Sequence, residues 1–443
     1  MHSNNTVLIV GELLVDYTPA QKGAPCKLRL GGVAHAARGL WSADLPYAVA
    51  AVCPKYLVNE AQDYLKSIEC EEFIWLGDVV GAPNVIVIGD ATEVSHQGYE
   101  ELMREAKEIK LQRPLPNLSD YKSVLIFPGK FDLHPLANAL ARDAQISFDI
   151  AYDISDFAFL EPFKGRVQAL IISTSSPLFL RVGKDEINSL LSSASSLQPE
   201  ALLLKENRGG SRLFTFTDDN VEEIPATLGA TVNSVGVGDA YSSVMVALSP
   251  HGWSTAAWRG CQVATAYSQS TFPDDIKRDV RRGFKLSIEA LHAIGGTTIP
   301  WHERKHYSIY LAGPDFTYVD KHELDQAVES LCYHNFNVRR PILENGELKR
   351  PASEGDLQRT YQKDCQLLKE CSAVFAVPLD RDPGTLVEIG MAIELGIPVI
   401  TYDPRHENNN TMVVVGSDVY SHALDQCLNG TFAAIAKMRN TAP

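Results

Sequence analysis

Short apolar segments of strand length alternate with helical patterns along most of this chain. In the N-terminal part the strand-like segments are residues 7–10, 84–88, 123–127, 146–150, 169–172 and 201–204. Helical patterns at residues 135–143 and 184–195 lie between some of them. This alternation predicts a parallel sheet covered by helices on both faces. Because 443 residues exceed one ordinary core, two or three domains are expected.

The composition excludes several classes of protein. The chain has 45% hydrophobic and 21% charged residues, and its apolar runs are shorter than the ~20 residues of a membrane span. A net charge of −15 argues against a broad nucleic-acid or membrane footprint. The eight cysteines form no C-x-x-C pair, and the N-terminus has no basic leader. We therefore expect reduced thiols, a cytoplasmic location and small-molecule partners.

A glycine-rich turn, Gly236-Val237-Gly238, leads directly into a predicted helix whose first turn carries Asp239. The backbone N–H groups of such a turn and the positive end of the helix dipole favour a bound phosphate. Asp239 could take the proton from an attacking hydroxyl, or it could only complement the helix dipole.

Two polar features lie near the start of the chain. Asp16 follows the first strand, where it could accept hydrogen bonds from a polar ligand or simply form a turn. Gly31 and Gly32 precede an alanine-rich helix at residues 33–40. Paired glycines there allow either a close backbone approach or a tight turn.

A second strand–turn–helix unit lies at residues 373–398. An apolar strand at residues 373–377 is followed by Asp380 and Asp382, and a helix is predicted from Thr385 to Gly396. The helix is apolar nearly all round, which predicts burial. Its one early charge, Glu388, has two interpretations. It completes a capping box with Thr385, or it is a nucleophile at the mouth of a parallel sheet.

The domain boundary is predicted near two glycines, Gly295 and Gly296, that end a helix. We therefore assign residues 1–296 to a first domain, residues 297–306 to a linker and residues 307–443 to a second α/β domain. Residues 302–306 match H-E-x-x-H, a motif that binds zinc only on a helix. Pro300 before it and a strand after it leave no room for such a helix. No metal site is predicted.

Several acids of the second domain are expected at one edge of its sheet, together with the hydroxyl of Tyr310. These acids are Asp364, Asp380, Asp382 and Glu388. Like-charged carboxylates raise one another's pKa, which separates a nucleophile from a general acid. Cleavage of an N-glycosidic bond requires that division of labour.

The turn at residues 233–239 resembles the late signature of the ribokinase-like (PfkB) carbohydrate kinases, D-T-x-G-A-G-D, which reads N-S-V-G-V-G-D here. The resemblance spans about residues 6–290. It implies a parallel-sheet domain with a small lid, and ATP with Mg²⁺ as cofactors. It also implies that Asp239 is the catalytic base and that Gly236, Val237 and Gly238 form the anion hole. Asp16, Gly31 and Gly32 would contact the substrate.

Three departures from the kinase pattern leave its activity open. The leading Asp-Thr is Asn233-Ser234, the family's sugar-binding Asn falls at Ala36, and Ser-Thr-Ser-Ser at residues 173–176 replaces N-x-x-E. The last change removes an acid linked to magnesium in the family. The first domain is therefore either an active kinase or a pseudokinase that binds a nucleoside or nucleotide without turnover.

Residues 307–430 resemble the nucleoside 2-deoxyribosyltransferases. The matching motifs are I-Y-x-x-G-x-x-F, which contains Tyr310, Gly313 and Phe316, and D-x-D-x-G-T-x-x-E-x-G, which contains Asp380, Asp382 and Glu388. The resemblance implies a smaller Rossmann-like (flavodoxin-like) domain that needs no cofactor, and a homo-oligomer. Glu388 would be the nucleophile, with the following supporting residues: Tyr310, Asp364, Asp382, and, more weakly matched, Asn410 and Met412.

Together these features predict a bifunctional nucleoside-metabolising enzyme. The second domain would cleave an N-glycosidic bond or transfer a deoxyribosyl group through a covalent glycosyl ester on Glu388. The first would phosphorylate a sugar or nucleoside with ATP. The alternative is an oligomeric sensor in which a ligand-binding pseudokinase regulates an N-glycosidase acting on a nucleoside, a nucleotide or NAD.

Overall fold

The computed structural model describes residues 6–20, 25–81, 84–97, 100–101, 107–151, 154–348 and 351–441. They divide into two compact units. The first comprises Met1–Thr92, Gln97–Thr227 and Thr231–Thr298. The second comprises Ile299–Pro443 with two short segments, Glu93–His96 and Leu228–Ala230. No helix within the described ranges is long and apolar enough to cross a membrane.

The first unit is built on a large sheet whose centre is parallel. The main path of this sheet runs, from one edge to the other, through Asn220–Ile224, Ser211–Thr215, Ala201–Lys205, Val167–Ser173, Gln145–Ile150, Ser123–Ile126, Val7–Thr18, Tyr47–Val52, Phe73–Val80 and Glu108–Leu111. The central strands are apolar and buried, as expected for a sheet covered on both faces.

The strand Val7–Thr18 is longer than the segment predicted from sequence, because it serves two sheets. Its first half pairs in parallel with Tyr47–Val52 and Ser123–Ile126. Its second half pairs with Lys27–Gly32 in the antiparallel direction and with Val85–Val87 in parallel. A short strand, Glu100–Glu101, extends this small sheet.

The helices of the first unit cover this sheet, and several pack on one another. They are Val33–Ser42, Val58–Ser67, His134–Ala139, Pro177–Val182, Ile187–Ser195, Val237–Leu248, Trp253–Gln269, Pro273–Gly283 and Ile288–Ile294. The pattern at residues 135–143 forms a helix that ends at Ala139. The strands Tyr47–Val52 and Phe73–Val80 were not predicted. Tyr47–Val52 is fully buried, but half of its residues are alanine, which has little intrinsic strand preference.

The second unit has a five-stranded sheet in which every adjacent pair is parallel. Across the sheet the strands are Asn337–Arg339, Ser308–Ala312, Ala373–Ala376, Val399–Tyr402 and Val419–Ser421. This is the order 2-1-3-4-5 of flavodoxin-like folds. The predicted fold class, a large parallel α/β sheet followed by a smaller parallel one, is confirmed.

The helices of the second unit follow its strands and enclose two clusters of buried side chains. They are Trp301–Arg304, His322–Tyr333, Pro341–Asn345, Glu354–Lys369, Pro383–Glu394, Thr411–Val414 and Leu424–Thr441. In folds of this order, ligands bind where the strand order reverses. Here that point lies between Ser308–Ala312 and Ala373–Ala376.

The segment predicted as a linker is instead part of the folded units. Thr297 bonds with Ala226 of the first unit, and Ile299 is fully buried in the core of the second. Residues 301–304 form one helical turn, which is shorter than a zinc-binding helix requires. Within the described residues no group of three His, Cys, Asp or Glu side chains is placed to hold a metal ion.

The most deeply buried charge of the second unit is in this turn. Arg304 has no exposed surface, and its guanidinium donates to the carbonyl oxygens of Ile299 at 3.0 Å and His334 at 3.4 Å. The same group lies 5.0 Å from the ring centroid of Phe432. Arg304 therefore joins the start of the second unit to its sheet-covering helices.

Replacement of Arg304 by Met should destabilise the second unit. The two carbonyl oxygens would lose a charged donor in a buried setting, so the free energy of unfolding should fall by about 2–4 kcal/mol. Chemical denaturation of the full chain measures the change. Arg359→Met, at an exposed arginine of the same unit, should change it by less than about 0.5 kcal/mol. Equal effects would contradict a structural role for Arg304.

Candidate active site

The candidate site of the second unit lies at the reversal point of its sheet. Tyr310 is on the strand Ser308–Ala312, and the strand Ala373–Ala376 beside it leads into the turn that carries Asp380 and Asp382. Both strands are parallel, so both deliver their following residues to one edge. Glu388 reaches this edge from the helix Pro383–Glu394.

Glu388 accepts a hydrogen bond from the hydroxyl of Tyr310, with 2.6 Å between the phenolic oxygen and Oε1. The predicted capping box with Thr385 is not formed. Instead, Asp382 is the N-cap, and its Oδ2 accepts from the backbone N and Oγ1 of Thr385, both at 2.8 Å. Pro383 then occupies the first helical turn, where its missing N–H costs nothing. Because Asp382 caps the helix, Glu388 is free to bond Tyr310.

Burial and neighbouring acids set the proton affinity of Glu388. Burial raises its pKa, the bond from Tyr310 lowers it, and the charges of Asp364 and Asp382 raise it, giving a pKa of about 7. Burial also raises the pKa of Asp364, against a hydrogen bond from Asn345. The pKa of Tyr310 is raised far above its usual range by burial and by Glu388. Tyr310 therefore remains a donor, while Glu388 changes charge near neutral pH.

The helix that carries Glu388 is less buried than its composition predicts. Ile389 and Ala392 face the core, but Val387 is 56% exposed and Leu395 is 45% exposed. The prediction of a helix buried all round is therefore wrong. An apolar face of this helix is left open to solvent in the single chain.

The remaining predicted residues of this site lie on loops at the same edge. Phe316 stacks on Tyr318 with ring centroids 5.2 Å apart. Asp380 has a left-handed backbone and a largely exposed side chain, 3.4 Å from Arg405. Gly313 is in close contact with Leu324 and with the carbonyl of Val377.

Asn410 caps the short helix Thr411–Val414 through a bond from the N–H of Met412, whose side chain is 78% exposed. Asn410 is therefore committed to its own backbone. Met412 reaches into solvent in the single chain.

Two polar residues of this unit were not predicted. Asp403 follows the strand Val399–Tyr402, is almost fully buried, and accepts hydrogen bonds from the N–H groups of Glu407 and Asn408 and from the hydroxyl of Tyr420. It shapes the loop that leads to Asn410. Its place directly after an apolar strand was the available signal. The second, Asn345, donates to Asp364 at 2.7 Å.

The candidate pocket of the first unit is centred on Asp16, which is already paired within the chain. Arg29 Nε lies 3.3 Å and His35 Nε2 lies 2.9 Å from Asp16 Oδ2. Burial raises the pKa of Asp16, but His35 and the nearby arginines lower it by a larger amount. The pKa of Asp16 therefore lies below its usual range. Burial lowers the pKa of His35 to about 4, so this imidazole is neutral.

His35 was missed by the sequence comparison, which placed the family's Asn at Ala36. Its ring lies directly beneath Gly236, where an added Cβ would collide with it, and Gly236 has a φ of 82°. Gly31 is likewise against the carboxylate of Asp16. The glycines thus permit close approach to the chain's own side chains. Arg29, which pairs with Asp16, also donates from its Nη2 to the carbonyl oxygen of Val235 at 2.9 Å.

Asp239 lies in the first turn of the helix Val237–Leu248, near a buried ion pair. Burial and Asp149 raise its pKa while Lys205 lowers it, giving a pKa of about 7. Lys205 Nζ lies 2.7 Å from Asp149 Oδ2 and 3.4 Å from the carbonyl of Gly238. An ammonium group thus adjoins the predicted anion hole.

One carboxylate oxygen at this edge, Asp149 Oδ1, is buried without a hydrogen-bond partner and could serve a magnesium ion that arrives with a nucleotide. Mg²⁺ bound with a nucleotide usually takes one or two carboxylates and several waters. Asp149 Oδ2 already accepts from both Lys205 and Ser242, and residues 173–176 supply no acid. A phosphate at the start of the helix Val237–Leu248 would meet the N–H groups of the first helical turn and the ammonium of Lys205 near Gly238.

Comparison with known proteins places the second unit in a family context. Residues 309–426, which lie wholly within that unit, match the family model for nucleoside 2-deoxyribosyltransferase. The match confirms the resemblance predicted for this part of the chain. The comparison with curated proteins found no match.

Several solved kinase structures are similar to the chain at low identity. The Methanocaldococcus jannaschii nucleoside kinase is 14% identical, covering 63% of this chain and 98% of its own, with a TM-score of 0.44. Giardia lamblia ribokinase is 11% identical, covering 63% of this chain and 99% of its own, with a TM-score of 0.49. Burkholderia thailandensis nucleoside kinase is 16% identical, covering 63% of this chain and 97% of its own, with a TM-score of 0.47. These similarities are too distant to assign an activity.

Replacement of Tyr310 by Phe should raise the pKa of Glu388. The ionised carboxylate would lose its donor, so the pKa should move upward from about 7 by roughly one to two units. A carboxyl-carbon NMR titration of ligand-free protein measures it, with Glu388→Gln identifying the resonance. Tyr420→Phe removes a similar bond to Asp403 and should leave Glu388 unchanged. A downward shift in Tyr310→Phe would contradict this electrostatic account.

Proposed function

We propose that the second unit cleaves the N-glycosidic bond of a nucleoside or nucleotide, with Glu388 as the nucleophile. The observation that carries the proposal is the hydrogen bond from Tyr310 to a partly buried Glu388 whose pKa is about 7. An acid that only capped the helix would bond its own backbone and would not need Tyr310. The match of residues 309–426 to the nucleoside 2-deoxyribosyltransferase model supports the same chemistry.

The reaction has two displacements at the anomeric carbon. In the first, a carboxylate oxygen of Glu388 bonds to that carbon, and the carbon–nitrogen bond breaks with its electron pair leaving on the base. The leaving nitrogen takes a proton from the acid that serves the base. Asp382 is proposed for this role, since Thr385 occupies only its Oδ2 and Oδ1 remains for the ligand.

In the second displacement, an incoming base or a water molecule attacks the anomeric carbon and releases Glu388 as a carboxylate. The proton of the incoming group returns to the acid. Tyr310 stabilises the carboxylate before the first step and after the second. Asp364 contacts the sugar or the base. Transfer and hydrolysis differ only in whether a base or water accepts the sugar in the second displacement. The assay should therefore measure both the new nucleoside and the free sugar.

A second candidate function belongs to the first unit. The pKa of Asp239, about 7, suits a general base that deprotonates a hydroxyl during phosphoryl transfer from ATP. Against turnover stand the missing acid at residues 173–176 and the pairing of Asp16 with Arg29 and His35. These two features favour the alternative, in which the first unit binds a nucleoside or nucleotide and regulates the second.

Base release should require ionised Glu388. The rate should rise with pH through about 7, because the carboxylate is the attacking form and its pKa is raised. Glu388→Gln should lower kcat/KM on the order of a thousandfold or more. The assay is free base released from a panel of nucleosides, deoxynucleotides and NAD. Glu394→Gln, at an exposed acid of the same helix, is the control. Full activity in Glu388→Gln would end the proposal.

The two interpretations of the first unit separate in the same assay with and without Mg-ATP. A kinase forms ADP with a sugar or nucleoside acceptor, and Asp239→Asn should remove that ADP. A sensor changes the rate of base release without forming ADP. Asp143→Asn, at a fully exposed acid, should have neither effect. ADP formation that persists in Asp239→Asn would end the kinase assignment.

We also propose that a second copy of the chain covers the exposed apolar face of the second unit, giving a homo-oligomer. The face includes Val387, Leu395 and Val415, and exposed apolar patches commonly mark interfaces. Val387→Asp and Val415→Asp should therefore lower the mass measured by light scattering. Val221→Asp, at an exposed valine of the first unit, should not. A parent chain that is already monomeric would end this proposal.

A further inference from the structure

Asn345 contacts one of the candidate acids, Asp364, although no sequence motif points to it. It is the last residue of the helix Pro341–Asn345, and its Nδ2 lies 2.7 Å from Asp364 Oδ1. We propose that Asn345 is a positioning residue that orients Asp364 beside Glu388 and favours the ionised form of Asp364. The inference rests on the proposed function, whose two carboxylates need different roles.

The position of Asn345 is fixed by the edge of the sheet. Arg339 lies directly opposite Tyr310 in the parallel pair that its strand makes with Ser308–Ala312. The Arg339 guanidinium grips Glu344 through two nitrogens, at 2.6 to 3.0 Å. Glu344 immediately precedes Asn345, and Gly346, with a φ of 84°, ends the helix there. One ion pair therefore ties the residue before Asn345 to the strand Asn337–Arg339, which lies beside the strand that carries Tyr310.

The chemistry of the amide makes the contact directional. An Asn side chain has no proton to lose, and its NH₂ group can only donate. A donated bond favours the ionised form of a carboxyl group, because the negative oxygen is the better acceptor. Burial raises the pKa of Asp364, while the bond from Asn345 lowers it. Asn345 thus offsets part of the cost of burying this charge.

The groups around the two acids decide where the proton resides. Asp364 faces Asn345, with Lys363 adjacent on its own helix, and both favour the charged form. Glu388 faces Tyr310, which favours its charge, and Asp364 and Asp382, which oppose it. With Asp364 ionised, a second negative charge at Glu388 is disfavoured. The ionised form of Asp364 therefore raises the pKa of Glu388.

This assignment narrows the role of Asp364 in the proposed reaction. A carboxylate kept ionised by a donor accepts hydrogen bonds and does not protonate the leaving base. Its free oxygen, Oδ2, is the acceptor for a donor group of the ligand. Proton delivery to the base then falls to a group other than Asp364.

The test is the titration of Asp364 in ligand-free, full-length Asn345→Leu. The pKa of Asp364 should rise by roughly one unit, since a bond to a charged group is lost. Carboxyl-carbon NMR follows it, with Asp364→Asn identifying the resonance. Asn345→Asp has nearly the same shape and should raise this pKa further, because it places a like charge beside Asp364. The matched control is Asn337→Leu, since Asn337 lies on the edge strand and donates to Ser308 of the neighbouring strand, away from Asp364.

An unmoved Asp364 titration in either folded variant overturns the inference. A cooperative thermal unfolding transition shows that each variant is folded. If Asn345→Leu is unfolded, Asn345→Asp provides the test. In the base-release assay, the rise of the rate with pH should extend to lower pH in Asn345→Leu. In Tyr310→Phe the same rise should move to higher pH. If Asn345→Leu releases base more slowly but with the same dependence on pH as the parent, the inference is also contradicted. A parent that releases no base ends the proposed function, while the NMR titration still decides the role of Asn345.

Discussion

The hydrogen bond between Tyr310 and Glu388 is the contact on which the second unit's site depends. It joins the first strand of that sheet to the helix after the third, so it requires Ser308–Ala312 and Ala373–Ala376 to be parallel neighbours. It also requires another residue to cap the helix. Asp382 does so, and one carboxylate thereby releases another for a different role. Strand order, capping and the raised pKa of Glu388 are linked through this contact.

Both units place a carboxyl group with a pKa near 7 close to the start of a helix at the edge of a parallel sheet. Burial is the largest cause in each. The compensating groups differ, because Asp239 has the ammonium of Lys205 nearby whereas Glu388 has the neutral phenol of Tyr310. A neutral donor leaves an attacking carboxylate free of a tight ion pair. The second unit therefore has the better-defined chemical site.

The departures from the kinase signature acquire a physical meaning in the structure. Asn233 takes part in the contact of Arg29 with the turn, since Arg29 Nη2 lies 3.3 Å from its Oδ1. Beside Ala36, the ring of His35 binds Asp16 from within the core. The pocket is thus satisfied by its own side chains. Single positions compared with a motif could not indicate this, because Arg29 meets Asp16 across a strand pair and His35 meets it from the helix Val33–Ser42.

Local patterns predicted a parallel sheet in each unit and the strand–turn–helix around Glu388, because burial and backbone geometry leave periodic traces in sequence, but they missed strands such as Tyr47–Val52. They could not decide which acid caps the helix, since Thr385 and Asp382 both have suitable spacing. Nor could they indicate Asn345, which ends a helix of five residues and meets Asp364 only when that helix packs on Glu354–Lys369. The tertiary structure decided these points, because proton affinity depends on burial and on neighbours distant in sequence.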